Sequence, residues 1–308
     1  MEQTLTNAGV LSRIRPGARV ALIRLRSLGD CVLTTPAIEI LKNARPDLEI
    51  AVVVEDRFAA VFEGNPAVSA ILPPSYGAIL RWRPELTLNL HGGTRSQLLT
   101  LASRARWRAG FAHHTGSFLY GVRIPRAQQI LGVERTVHTA EHLSSAMFYL
   151  GAPMVEIPRA RLYAGPSRRE RPYAVIHATA AAAYKTWHPE RFLTVAAYVE
   201  CTRELEPIFI GAASDDLTPF ARYTRVLGQP LRDVKSLLAG ASLFVGNDSG
   251  PAHMACAFGV PLVVLYGRVE HRTIWEPWKA VAARTLSAEG GIGAITTEQT
   301  IAAVDELP

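Results

Sequence analysis

Residues 243–267 read LFVGNDSGPAHMACAFGVPLVVLYG, and the rest of the chain is organised around this stretch. The apolar run at 243–245 reads as a buried strand, and a second run at 261–266 ends at Gly267. Between them Gly246, Asn247, Asp248, Ser249 and Gly250 make a small polar turn. Pro251 suits a first helical turn, where its missing N–H costs nothing. Strand, turn, helix and parallel strand form a βαβ unit, and such a turn offers free backbone N–H groups to an anion. Asp and Ser are also favoured N-caps on their own account, so the turn alone leaves capping and phosphate binding both open.

Working outward, the same alternation recurs. Residues 19–25 (RVALIRL) are expected to form a strand, followed by the turn 26–30 and a helical stripe over 31–44 that Arg45-Pro46 ends. Strands are expected at 48–54, 68–72, 86–90 and 107–111, with helices at 57–62 and near 95–103 and a polar turn His91-Gly92-Gly93-Thr94 between. An amphipathic helix at 136–150 closes at Gly151, and the proline- and arginine-rich segment 152–172 reads as an interdomain linker. The pattern then restarts with strands at 173–178 and 207–210 and helices at 189–203 and 232–239. A last helix at 297–307 is free to pack on either half. Two βα-repeating halves with parallel sheets follow, with ligands at the carboxyl ends of the strands and the cleft between halves as the expected site.

Composition narrows the partners. In 308 residues, 48% are hydrophobic and 19% charged, as in soluble globular domains. No apolar run reaches spanning length, and the first seventeen residues lack an apolar signal core, so a cytoplasmic protein is expected. Cys31, Cys201 and Cys256 sit far apart in apolar patterns and read as reduced core thiols. The net charge of +6, from 33 Lys and Arg against 27 Asp and Glu, suits an anionic partner. Arg81, Arg83, Arg95, Arg104, Arg106, Arg108, Arg123 and Arg126 weight that charge to the first half. No RNA-binding aromatic signature or zinc finger accompanies them.

The chemistry-bearing candidates lie at strand ends. Asp30 heads the helix after the first strand, either as its N-cap or as an ionised carboxylate able to take a proton; Gly29 beside it permits close approach of a substrate. Lys185 follows the unusual run 177–184 (HATAAAAY) and is placed to reach back to a phosphate, while Trp187 reads as core. Asp215 and Asp216 lie just beyond the strand ending at Gly211, as ribose acceptors or as helix caps. His138-Thr139-Ala140-Glu141-His142 matches H-x-x-E-H, a zinc-peptidase pattern, but no third ligand motif accompanies it. The chain has no G-x-x-x-x-G-K-[ST], no G-x-G-x-x-G after the first strand and no G-x-S-x-G. Their absence argues against P-loop nucleotidases, dehydrogenases and α/β-hydrolases.

Arg24 to Asp30 with Leu33-Thr34-Thr35-Pro36-Ala37, Trp187 shortly after Lys185, Gly246 to His253 with Ala257-Phe258-Gly259-Val260-Pro261, and Tyr266-Gly267 together resemble family 9 glycosyltransferases, the bacterial lipopolysaccharide heptosyltransferases. The H-x-x-E-H segment falls where that family keeps an interdomain helix. The loop at 177–180 departs from the family's Pro-Gly-Ser-like turn.

The resemblance implies an α/β GT-B fold, two Rossmann-like domains facing each other across a cleft. Residues 1–160 would bind acceptor and 161–308 the nucleotide-sugar donor. It implies inverting transfer of a heptose from ADP-heptose to a lipopolysaccharide inner-core or similar glycan, with Asp30 as general base and Lys185 neutralising the departing diphosphate. Thr179, Asp215, Asp216, Asp248, Ser249, Gly250, Pro251 and His253 would serve the donor, and Gly29, His91 and Arg95 the acceptor. No metal and no cofactor beyond the donor nucleotide are expected. The implied partners are a nucleotide sugar and a membrane-anchored anionic glycolipid, met by a cytoplasmic protein in peripheral contact with the inner membrane, and not nucleic acid. A nucleotide-sugar epimerase of this architecture, or a binding homologue without turnover, are the competing classes.

Overall fold

The computed structural model describes residues 9–167 and 169–308. Residues 1–8, part of the leader reading, and residue 168 in the linker segment lie outside them. The chain divides into two compact units, Met1–Pro158 and Arg159–Pro308.

The first unit carries β1 (Arg19–Ile23), β2 (Glu49–Val53), β3 (Ala70–Leu72), β4 (Leu86–Asn89), β5 (Trp107–Phe111) and β6 (Val122–Ile124) in the order β3-β2-β1-β4-β5-β6. The second repeats it with β7 (Tyr173–His177), β8 (Glu206–Gly211), β9 (Thr224–Leu227), β10 (Leu243–Asn247), β11 (Leu262–Tyr266) and β12 (Ala283–Ser287), ordered β12-β11-β10-β7-β8-β9. Every pairing is parallel. Both sheets therefore have the doubly wound Rossmann order, and each reverses direction between its first and fourth strands, β1/β4 and β7/β10. The central β7, β10 and β11 are covered by helices on both faces and buried at every position, which is why their residues are apolar except at the carboxyl ends of β7 and β10, His177 and Asn247.

The short edge strands β6, β9 and β12 escaped the sequence pattern. They are three to five residues long and show neither a buried run nor alternation. The helix expected over 31–44 is two, Leu28–Leu33 and Thr35–Ala44, because Pro36 lacks the N–H that continuation needs and stands in the first turn of the second. Segment 152–172 has no helix or strand among its described residues, yet it is not a free linker. Ile157, Ala160 and Leu162 are buried, and Arg159 Nη2 donates to the carbonyls of Cys256 and Ala257 at 3.2 Å each.

The terminal helix, Thr297–Asp305, packs on Pro189–Thr202 of its own unit. Tyr198 donates to Asp305 Oδ1 at 2.6 Å, and Ala303, Val304 and Leu307 enter the second core with Phe192, Phe209 and Phe220. Each large apolar side chain buried there contributes roughly 1.5–3 kcal/mol relative to exposure. Trp187 is one of these core groups, fully buried, edge-on to Phe192 at 5.0 Å, its indole N–H donating to the Ile295 carbonyl at 2.9 Å. Cys31 and Cys256 are buried, with burial pushing both thiols up to about 12. Cys201 is exposed, against the expectation of three core thiols.

Candidate active site

In the first unit the chain leaves β1 at Arg24 and turns into the helix Leu28–Leu33. Asp30 is not that helix's N-cap; Ser27 is, and Asp30 stands three residues on, the position from which a capping-box carboxylate reaches back. Its Oδ2 receives the Ser27 hydroxyl at 3.1 Å and the Ser27 N–H at 3.5 Å, and it is ion-paired with Arg24 Nη2. Arg24 Nη1 donates to the Leu90 carbonyl at 2.6 Å, tying the loop after β1 to the loop after β4. Gly29 lies half-buried in the first turn beside Asp30.

After β4, Asn89 Oδ1 accepts the N–H groups of His91 and Gly92 at 3.0 Å each, which folds the chain back into the helix Thr94–Ala102. Gly92 has φ +74°, and a Cβ there would meet the His114 ring at 2.8 Å, so the turn needs a residue without one. His91 is half-buried; burial first, then Arg24 and Arg26, lower its pKa, while Asp30 opposes them. Arg95 is exposed at 60% of its side chain, 3.5 Å from Glu55 Oε1.

Sequence reading missed how many imidazoles gather beside Asp30. His142 stacks on Phe111 with ring centroids 4.0 Å apart, and His113 lies 4.6 Å from His114 and 5.5 Å from His142. Burial pushes His114 and His142 down to about 4, with neighbouring histidines and Arg24 adding to it. Only their spacing across 111–142 hinted at the cluster; β5 and the helix Thr139–Leu150 bring them together.

The H-x-x-E-H pattern proves to be helix-capping chemistry. His138 Nδ1 accepts the Ala140 N–H at 3.1 Å, Glu141 accepts the His138 N–H at 2.8 Å, and Arg135 grips both Glu141 oxygens at 2.6 and 2.8 Å. The hydrogen-bonded Arg135 lowers the Glu141 pKa. His142 is turned onto Phe111, so the two histidines do not converge. No group of three or more His, Cys, Asp or Glu suited to a metal ion is found among the described residues.

The arginines of the first half divide between the two ends of the sheet. Arg81 and Arg83 lie just before β4, and Arg104 and Arg106 just before β5, at amino ends, opposite the edge that bears Asp30. Arg95 and Arg126 follow the carboxyl ends of β4 and β6.

In the second unit the run 177–184 is no helix. The chain passes through a loop into one short turn, Ala183–Lys185, pinned by Asn247. The Asn247 amide donates to the Ala178 carbonyl at 2.9 Å and accepts the Trp187 N–H at 3.2 Å. Gly246 lets β10 approach β7, because a Cβ there would sit 2.9 Å from the His177 carbonyl oxygen. Thus held, Lys185 Nζ meets Asp248 Oδ2 at 2.6 Å and lies 5.8 Å from the Trp275 ring.

Ser249 caps the helix Gly250–Phe258, with Pro251 in its first turn, and Ser249 Oγ is buried with no hydrogen-bond partner. His253 is buried in the same helix. Thr179 Oγ1 donates to Asp215 Oδ2 at 2.7 Å, which also takes the Ala212 N–H at 2.9 Å. Asp216 is committed to its own turn, accepting the Thr218 N–H at 2.8 Å; hydrogen bonds from Thr218 lower its pKa.

Beyond β11 and β12 opens a cavity of about 680 Å³, lined by Gly267, Arg268, Glu270, His271, Ala288 and Glu289. His271 joins it to the ion pair, for its pKa is lowered by burial and then by Lys185. A fixed ammonium, a helix N-terminus and an adjoining cavity can together hold an anionic ligand and steady charge that develops on it.

Comparison with known proteins bears on the family and the fold. The sequence model of glycosyltransferase family 9 (heptosyltransferase) matches residues 79–296. Lipopolysaccharide heptosyltransferase 3 of Escherichia coli is 26% identical over 302 residues, covering 82% of this chain and 84% of that one. Among solved structures, a family 9 glycosyl transferase from Veillonella parvula superposes with a TM-score of 0.81 at 21% identity, over 94% of this chain and 96% of that one. The E. coli heptosyltransferase WaaC with ADP does so at 0.77 and 18% identity, over 94% and 99%. At these identities the structures establish the fold.

Proposed function

Because the chain belongs to glycosyltransferase family 9 and has its GT-B fold, we propose that it transfers a heptose from ADP-heptose to a lipopolysaccharide inner-core or similar glycan acceptor. The observation that carries this reading is Lys185, held at the N-terminus of Gly250–Phe258 beside a cavity of about 680 Å³. WaaC, similar in fold, has been solved with ADP and with ADP-2-deoxy-2-fluoro heptose.

In this reading the acceptor sits on the first unit and the donor on the second. The acceptor hydroxyl oxygen attacks the anomeric carbon, its proton passes to Asp30, and the bond from that carbon to the diphosphate oxygen breaks with inversion. ADP leaves with the bonding pair. Lys185 and the N–H groups at the head of Gly250–Phe258 stabilise the charge on the leaving diphosphate. Ser249 Oγ, which has no hydrogen-bond partner within the fold, supplies a further donor.

Asp248 cannot donate to phosphate. It anchors the lysine and would accept a sugar hydroxyl on its other oxygen. Thr179, Asp215 and His253 flank the same edge. Gly29, His91 and Arg95 serve the acceptor, which is membrane-anchored and anionic, so the protein would work peripherally at the cytoplasmic face of the inner membrane. No helix among the described residues is long and apolar enough to cross one.

The test is to incubate the protein with ADP-heptose and a heptose-free core and measure ADP release and product mass. Transfer that requires both substrates is expected. Release of ADP without acceptor, or tight ADP binding with no transfer to any core acceptor, would overturn the reading.

A further inference from the structure

We propose that Arg24 is a positioning residue, gripping one oxygen of Asp30 so that the other is presented to the acceptor proton. The inference rests on Asp30 being the base. Arg24 directly follows β1 and Leu90 directly follows β4, the two strands between which the sheet reverses. Arg24 is 8% exposed as a whole residue, and its guanidinium splits its fork: Nη1 goes to the Leu90 carbonyl at 2.6 Å and Nη2 to Asp30 Oδ2.

A purely structural pair would favour the two parallel bonds of a bidentate arginine–carboxylate contact, which occupies both oxygens. Here the Ser27 hydroxyl and N–H also converge on Oδ2, at 3.1 and 3.5 Å. Three donors on one oxygen stop the carboxylate from turning and leave Oδ1 as the atom that takes the proton. Burying a guanidinium carries a desolvation penalty of several kcal/mol, so a residue that only closed the turn could be neutral. A lysine would keep the charge but has no fork with which to hold the Leu90 carbonyl and Asp30 together.

The experiment compares Arg24→Lys, Arg24→Ala, Ser27→Ala and Asp30→Asn, reading kcat, ADP affinity and melting temperature. Arg24→Ala is expected to lower kcat about 100-fold with ADP affinity within about twofold, because only the transition state feels the misplaced base. Added guanidinium ion should restore about tenfold of that rate, and none of it when Asp30→Asn is also present. Arg24→Lys should fold normally and remain about tenfold slow. Ser27→Ala, at an exposed position, should slow turnover about threefold with only the small fall in melting temperature of a lost N-cap, which keeps the test open if Arg24→Ala fails to fold.

Full activity in Arg24→Lys and Ser27→Ala beside a dead Asp30→Asn would overturn the positioning role alone. Transfer retained by Asp30→Asn would overturn the base assignment and this inference with it.

Discussion

The two sheets share one strand order and each carries a cation–carboxylate pair by its point of reversal, but the pairs are turned opposite ways. In the first unit the arginine is the covered partner, with side-chain exposures of 10% for Arg24 and 25% for Asp30. In the second the carboxylate is covered, at 6% for Asp248 against 21% for Lys185. One scaffold thus presents a carboxylate on one edge and an ammonium on the other. The proposed roles follow from which member is the more exposed: a carboxylate is able to take a proton, whereas an ammonium is able to meet a diphosphate. The surroundings follow suit, with imidazoles kept neutral by burial beside Asp30, and a helix N-terminus beside Lys185.

The largest expected effect is on the half-buried carboxylate, Asp30. Asp30→Asn should lower transfer about 1,000-fold, the range of a lost general base, with ADP affinity nearly unchanged and a moderate fall in melting temperature, because the covered Arg24 loses its charged partner. A large loss of stability with modest loss of rate would instead make Asp30 a capping residue and break the contrast.

Lys185→Ala should weaken ADP binding and turnover by about tenfold or more each. It should also cost stability, because the covered Asp248 loses its partner. Lys185→Ala/Asp248→Asn separates the two, regaining melting temperature but not activity. Kinetics unchanged in Lys185→Ala would remove it from the site.

The histidines sharpen the comparison through pH. Folded His114, His142 and His177 protonate only near about 4, whereas an unfolded chain takes those protons near 6.5. Between these values the unfolded state binds more protons, so stability should fall as pH drops from about 6.5 towards 4 and be level above. Two of the three lie in the first unit, so at pH 5 amide protection, taken relative to the intrinsic exchange rate at that pH, should fall more in β4 and β5 than in β7 and β10. His142→Gln should flatten the trend. Stability that does not change across this range would overturn the argument.

The smallest effect is at Ser249. Its Oγ has no hydrogen-bond partner within the fold, so Ser249→Ala should change stability by less than about 0.5 kcal/mol while weakening ADP binding about three- to tenfold. Equal ADP affinity in wild type and variant, by calorimetry, would take it out of the donor site.

Much of this was legible beforehand, for reasons that differ by element. Strands such as β7, β10 and β11 are fully buried and therefore carry apolar runs, broken in β7 and β10 only at their carboxyl ends by His177 and Asn247. β6, β9 and β12 are short edge strands held by one neighbour each, and nothing in their composition announces them. Asp30, Lys185 and Asp248 stand out in the sequence as candidates because they lie where a strand turns into a loop or helix. Arg24, Asn247 and the imidazoles escaped because their partners lie far along the chain: Leu90, Ala178, and Phe111 with His142. His138 and Glu141 misled for the converse reason, since a capping box and a metal motif can share their letters.

The sequence alone determined the two βα halves, the parallel sheets and the residues at the strand ends, because hydrophobic period and turn chemistry are local properties. Its resemblance to family 9 supplied the reaction to expect. Only the tertiary structure decided that Asp30 is gripped through one oxygen, that Lys185 is anchored by a buried carboxylate, and which member of each pair faces outward. Those facts depend on which strands become neighbours, and the chain brings β1 beside β4 and β7 beside β10 only when it folds.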